Sequence, residues 1–406
     1  MECVSHFSKR TSWDVGESSY AAAVREARAS GRRLYDLTIS NPTRCGFSYD
    51  EQALLGALGD SHALVYDPDP RGMAVAREAV AGYYAGHGAA VSAGDLMLTT
   101  STSESYSFLF RLLCDPGDEV LVAQPSYPLF DFLADLDDVR LRPYPLFYDH
   151  GWWIDFAELE RAITPRTRAV IVVHPNNPTG HWTSAGEREL LEALCVRHGL
   201  ALIVDEVFLD YPLREAASAR SFACGDHPAL TFVLSGLSKI AGLPQMKAAW
   251  IATLGPEKSR AEALGRLEIV ADTFLSMNAP VQLALPKWLA GREGIQRQIL
   301  ERAREKLTVL RRMSGEFPGR LQLLDVEAGW SAVLSLPGCG GELDCAERLV
   351  RECGVVVHPG AFYGMRERNR VVVSLIGIAA DFEAGMQCAT SAISTGGKPQ
   401  VMDESK

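Results

Sequence analysis

Residues 201–205 read Ala-Leu-Ile-Val-Asp, and residues 169–173 read Ala-Val-Ile-Val-Val. Such apolar runs, without polar alternation, suit strands covered on both faces, where both sets of side chains must be buried. Five more strand-like runs lie around them: Leu96–Thr100, Glu119–Ala123, Val139–Tyr144, Thr231–Ser235 and Ala248–Thr253. Between them fall stretches of helical period, such as Ser103–Leu113 and Ser184–His198. This alternation predicts an α/β fold, a mainly parallel seven-stranded sheet covered by helices.

The rest of the chain reads differently. A long charged helix near 292–313 precedes strands Leu321–Val326 and Ser331–Leu336, a helix around Leu343–Glu352 and a strand Val371–Leu375. This predicts a smaller α+β domain, joined by the N-terminal segment up to about Arg44. The expected division is a large domain over 46–285 and a small one over 1–45 and 286–393. The polar, Gly/Lys-rich tail 394–406 is expected to be disordered.

Composition narrows the function. The 406 residues are 47% apolar and 22% charged, ordinary for a chain with a sizeable core. A net charge of −11 argues against a broad nucleic-acid surface. No apolar run approaches the roughly 18–20 residues of a membrane span, and Met1–Arg10 lacks the apolar core of a secretory signal. A cytoplasmic protein is expected. The nine scattered cysteines include no C-x-x-C pair, so free thiols are expected and no metal site. No G-x-G-x-x-G follows a strand and no P-loop motif occurs; Gly338-Cys339-Gly340-Gly341 reads as a loop.

Chemistry gathers at the ends of the strand runs. Asp205 closes its run, at the carboxyl edge where open α/β sheets collect ligands. Asn176-Asn177-Pro178-Thr179-Gly180, after the 169–173 run, is a turn signal. Leu234-Ser235-Gly236-Leu237-Ser238-Lys239 ends in a lysine, whose amine can condense with an aldehyde and then act as a base. Thr100-Ser101-Thr102-Ser103-Glu104 joins a strand to a helix, where free N–H groups and hydroxyls suit a phosphate. Ser101 and Glu104 also fit a capping box, a sufficient structural reason for both.

This order of motifs resembles the class I/II aminotransferases of fold type I, from about Leu37 to Leu375 and most closely from 95 to 253. The resemblance implies pyridoxal phosphate, held as a Schiff base on Lys239. It further implies Asp205 on the ring nitrogen, Asn177 on the ring oxygen with a cis bond before Pro178, and Tyr127 stacked on the ring. Ser101, Thr102, Ser103, Ser235, Ser238 and Lys247 would hold the phosphate. Tyr66 would reach the phosphate of a neighbouring subunit, giving a homodimer with shared active sites. Four positions depart from the family pattern: Phe208 replaces a tyrosine, Gly236 a serine and Lys247 an arginine. The fourth is Val372, where an arginine two residues before Ser374 would clamp the substrate carboxylate. Asn41 or Arg370 are the candidates to replace that clamp.

The function implied is transfer of an amino group between an amino acid or amine and a 2-oxo acid. The alternative keeps the cofactor but performs elimination, replacement or carbon–carbon bond formation on an amino acid such as S-adenosylmethionine. A cofactor-binding regulator is disfavoured, because neither a nucleic-acid-binding domain nor a basic arm is legible.

Overall fold

The computed structural model describes residues 7–214, 220–275, 277–339 and 345–395. Cys3, Gly340, Gly341, Leu343 and the tail from 396 onward lie outside the described residues. Eight strands form a large sheet: β1 Leu96–Thr99, β2 Glu119–Gln124, β3 Arg140–Tyr148, β4 Trp152–Ile154, β5 Thr167–Val173, β6 Ala201–Asp205, β7 Thr231–Gly236 and β8 Ala249–Leu254. Their spatial order is β1-β8-β7-β6-β5-β2-β3-β4. The pairs from β7 through β3 are parallel, β8 is antiparallel to both its neighbours, and β4 returns antiparallel on β3. The seven expected runs are all strands of this sheet. The eighth, β4, has three residues behind a turn in which His150 takes φ +56°, and is too short to leave a run in the sequence.

Both faces are buried, as the runs require. On β5, Val170 and Val172 enter one core with helices Ala74–Gly86 and Ala279–Ala290. Ala169, Ile171 and Val173 enter the opposite core with helices Thr102–Leu113 and Glu257–Phe274. Each large apolar side chain so buried contributes about 1.5–3 kcal/mol, which is why the alternating faces of one strand need two helical layers. Trp250 on β8 is fully buried, and its indole N–H donates to the Tyr84 hydroxyl at 3.1 Å, so burial leaves no orphan donor.

Register decides where the site forms. Asp205 pairs with Val173 on one side and Leu234 on the other. Val173, Asp205 and Leu234 therefore lie level, with β7 running two residues further to Gly236, and the segments that follow these strands leave the sheet at one edge.

A second, antiparallel sheet contains β9 Gln322–Leu323, β10 Ser331–Ser335, β11 His358–Pro359 and β12 Arg370–Ser374, in the order β9-β10-β12-β11. Helix Glu293–Glu316 lays Ile299, Ala303, Leu307 and Leu310 into one core with Ala332, Leu334, Val371 and Val373. Tyr35–Asp36 pairs in parallel with Val355–Val356. The thiol expectation needs one correction: Cys339 and Cys345 form a disulfide. Their Cα atoms lie 5.4 Å apart, a proximity that no short motif announces. Among the described residues the other six cysteines are free. No described helix is long and apolar enough to cross a membrane.

Candidate active site

Lys239 sits in the short helix Leu237–Ile240 directly after β7. Its ammonium nitrogen lies 4.9 Å from the Trp330 ring centre and 5.5 Å from that of Phe208. The two rings meet edge to face at 5.0 Å, and Tyr211 leans on Trp330 at 5.2 Å. Burial against these aromatics lowers the Lys239 pKa to about 8, while the charge of Asp205 pulls it back up. An amine of this kind is partly neutral near pH 8, as a nucleophile or base must be. The Tyr211 hydroxyl donates to the Lys239 carbonyl at 2.5 Å, which fixes the backbone under the amine.

Asp205 is 7% exposed, and both its oxygens are engaged. Oδ1 accepts the Val207 N–H at 3.1 Å and Oδ2 accepts the Tyr106 hydroxyl at 3.1 Å. Burial raises its pKa to about 6, while Val207, Tyr106 and Lys239 all favour the charged form. Tyr127 lies close enough that the Asp205 charge adds to the upward shift of its phenol, after burial.

The turn after β5 divides its two asparagines. Asn176 is buried and structural: its Oδ1 accepts from Thr179 Oγ1 at 2.8 Å and its Nδ2 donates to the Pro125 carbonyl at 3.4 Å. Asn177 is half-buried, and among the described residues its amide makes no hydrogen bond. The Asn177–Pro178 bond is cis, as the resemblance implied, and so are Gln124–Pro125 and His174–Pro175.

At the start of helix Thr102–Leu113, Ser101 is the N-cap and accepts the Glu104 N–H at 3.2 Å. The Glu104 carboxylate accepts from Thr100 N at 2.7 Å, one residue earlier than a strict capping box. Among the described residues, the N–H groups and hydroxyls of Thr102 and Ser103 and the hydroxyl of Ser238 make no hydrogen bond. Thr102 and Ser103 stand at the helix start, with its partial positive charge. Ser235 differs. It is fully buried on β7 and spends its hydroxyl on the Glu206 carbonyl at 3.4 Å.

The remaining candidates lie further out. Lys247 is exposed, in a left-handed backbone (φ +53°). Tyr66 is 81% exposed, and with Val65, Leu275 and Met277 it lines a cleft. Asn41 is exposed and uses Oδ1 to cap the turn Pro42–Arg44, accepting from Thr43 N and Oγ1. Val372 is buried with Leu324, Val333, Tyr363 and Met365. Arg370 sits at the opposite end of β12 from Leu375, which donates to the Trp330 carbonyl. At roughly 3.3 Å per residue, that is about 16 Å along the strand. Its guanidinium lies over Tyr148, 5.9 Å from the ring centre, in a separate cavity of about 600 Å³. Tyr106, Tyr211 and Trp330 are site residues that the sequence reading missed. They are distant in sequence from the residues they touch, and no local pattern marks them.

The donor set suits pyridoxal phosphate: a desolvated amine, a buried carboxylate, an unpartnered amide, an aromatic face and an anion cup on one strand edge. Comparison with known proteins agrees. The profile of the family described as aminotransferase class I and II matches residues 50–376. The alanine aminotransferase of Mycobacterium tuberculosis is 31% identical over 319 residues, 76% of this chain and 68% of that protein. The glutamate-pyruvate aminotransferase of Escherichia coli K12 is 28% identical over 273 residues, 67% of each chain. Among solved structures, alanine aminotransferase from Pyrococcus furiosus superposes with a TM-score of 0.85 at 21% identity, covering 96% of this chain and 100% of that one, a likeness of fold alone. The chain therefore belongs to the class I and II aminotransferase family, fold type I enzymes that use pyridoxal phosphate to transfer an amino group between an amino acid and a 2-oxo acid.

Proposed function

We propose that Lys239 is the residue that binds the cofactor aldehyde and moves the proton in this aminotransferase. The observation that carries the reading is its amine, at a pKa of about 8, sharing a partly buried corner with a doubly hydrogen-bonded Asp205. When bound, the cofactor supplies an aldehyde and an electron-accepting ring that takes up the electron pair left as the substrate α-carbon loses its proton. Lys239 Nζ would hold the cofactor aldehyde and would take up the proton that leaves the substrate α-carbon. Asp205 would keep a proton on the ring nitrogen, and Asn177 would donate to the ring oxygen. Thr102, Ser103, Ser238 and the helix start would hold the phosphate, Lys247 would add charge to it, and Tyr127 would cover the ring. Phe208 and Trp330 keep water from the amine.

The exposed Val65, Tyr66 and Leu275, 63%, 81% and 67% accessible, support a homodimer in which Tyr66 reaches the partner's site. The domain division proposed is that expected from the sequence, with one refinement. Trp288 and Leu289 lie in the large-sheet core, so the second boundary falls near Gly291 rather than 285. A cytoplasmic location is supported by the six free cysteines, while the Cys339–Cys345 bridge argues the other way.

The relatives' names make alanine, glutamate, pyruvate and 2-oxoglutarate the first substrates to try. Reduction of the cofactor-loaded protein with borohydride, followed by peptide mapping, should label Lys239. A label elsewhere, or none in saturated protein, overturns the assignment. The second reading, elimination or replacement, is favoured by one feature: Phe208 places no hydroxyl beside the amine. Accumulation of pyridoxamine phosphate with an amino donor alone supports transamination, whereas release of ammonia supports the second reading.

A further inference from the structure

His181 follows the Asn177 turn and is 5% exposed, with carboxylates from two different elements on its two ring nitrogens. Glu187, from helix Ala185–His198, approaches Nε2 at 3.2 Å, and Glu327, from the segment before β10, approaches Nδ1 at 3.4 Å. The alignment is poor for hydrogen bonding, so charge holds the contacts. A neutral imidazole has one N–H, and its other nitrogen would present a lone pair to a buried carboxylate. Only the imidazolium satisfies both.

Each carboxylate is also tied to backbone. Glu187 accepts from Ile154 N at 2.9 Å and closes a capping box with Ser184. Glu327 accepts from Trp182 N at 2.8 Å and pairs with Arg214. The Asn177 turn is closed by Asn176 N donating to the His181 carbonyl at 2.9 Å. The Gly180 carbonyl accepts from both Glu327 N and Ala328 N, at 3.2 and 3.1 Å. Two residues on, Gly329 N donates to the Tyr211 carbonyl, and Trp330 covers the Lys239 amine. One imidazole thus joins the turn that carries Asn177 to the segment that carries Trp330.

We infer that His181, as an imidazolium between Glu187 and Glu327, is a positioning residue that fixes Asn177 for the cofactor ring. This rests on the reading of Asn177 given above. Burial alone would lower the His181 pKa, but the two carboxylates overcome it and raise it to about 9. The neighbouring His174 is buried and neutral, its pKa lowered to about 3 by burial and by the His181 charge. Two further cations stand near this cluster: Arg214, which pairs with Glu327 and Asp325, and Arg188, which pairs with Glu192 and whose charge also acts on His174.

The test is the affinity of the apoprotein for pyridoxal phosphate, titrated by tryptophan fluorescence, in a double-variant cycle of His181→Gln and Asn177→Ala. Glutamine donates to one carboxylate and leaves the other unpaired. His181→Gln should weaken binding about tenfold, the size of one lost hydrogen bond to the ligand. On the Asn177→Ala background the same change should cost less than about twofold, because the contact it positions is already gone. Unchanged affinity in His181→Gln, or an equal penalty on both backgrounds, overturns the inference alone. Wild-type protein that takes up no pyridoxal phosphate overturns the functional reading and this inference with it. If thermal melting shows that His181→Gln does not fold, Glu327→Gln enters the same cycle, with the same non-additivity expected and additivity again overturning the inference.

Discussion

Among the described residues, Lys306 and Lys239 both have amines withdrawn from water, and they differ in what surrounds them. Lys306, on helix Glu293–Glu316, is 4% exposed, donates to the Gly377 carbonyl at 2.7 Å and lies 4.4 Å from the Phe382 ring centre. Burial and the nearby Arg302 lower its pKa to about 7, against the pull of Cys45. Lys239 is lowered less, to about 8, yet its amine makes no hydrogen bond among the described residues and has Asp205 for company. Depressed basicity is thus a product of burial and does not by itself mark a catalytic amine. What differs is how each amine is engaged: the second unit's lysine is sealed and spends its amine on a carbonyl, whereas the large sheet's lysine is half-buried with the Asp205 carboxylate nearby.

The sharpest way to break this contrast is Lys239→Ala, which should abolish turnover and cofactor attachment while leaving the thermal unfolding transition near its wild-type position. Normal turnover in that variant would refute the contrast outright. Asp205→Asn should lower turnover by about a hundred- to a thousandfold, the range for removing one electrostatic partner from a buried site. Tyr106→Phe takes one donor from the charged form of Asp205, so its pKa should climb above about 6. The acid limb of the rate profile should then move to higher pH, with a loss of about fivefold near pH 6 and less at pH 8. An unmoved limb would show that Asp205 does not control it.

Lys306→Met should leave turnover per folded molecule within about twofold, and its signature is in stability. The folded pKa of about 7 lies below the reference 10.5, so the unfolded chain holds more protons between those values. Wild-type stability should therefore rise with pH across that window, and the variant should flatten the slope in denaturant titrations. The smallest effect is expected for Ser235→Ala. Its hydroxyl is spent on the Glu206 carbonyl, so cofactor affinity should change by less than about twofold, and a tenfold loss would return Ser235 to the phosphate cup.

The legible part of the site follows from chain order. Asp205, Asn177, Lys239 and the Thr102–Ser103 helix start each directly follow a strand run, so the runs that announce the sheet also place these residues at its edge. Ser235 shows the limit of that reasoning. It lies in the same motif as Lys239, yet β7 continues through it and turns its hydroxyl to the Glu206 backbone. Arg370 shows it again, since nearness in sequence to Val372 still leaves its guanidinium over Tyr148. The Cys339–Cys345 bridge was illegible for a related reason, because a spacing of six residues does not by itself bring two cysteines within bonding distance.

By itself, then, the sequence determined the mainly parallel sheet and the residue types set at the ends of its strands. It could do so because apolar runs and turn residues act locally. Only the tertiary structure decided which groups tune them: Tyr106 on Asp205, Trp330 beside Lys239, and Glu327 reaching from the second unit to His181. The physical reason is that a pKa depends on burial and on charges a few ångströms away, and those neighbours come from segments whose separation along the chain no local pattern encodes.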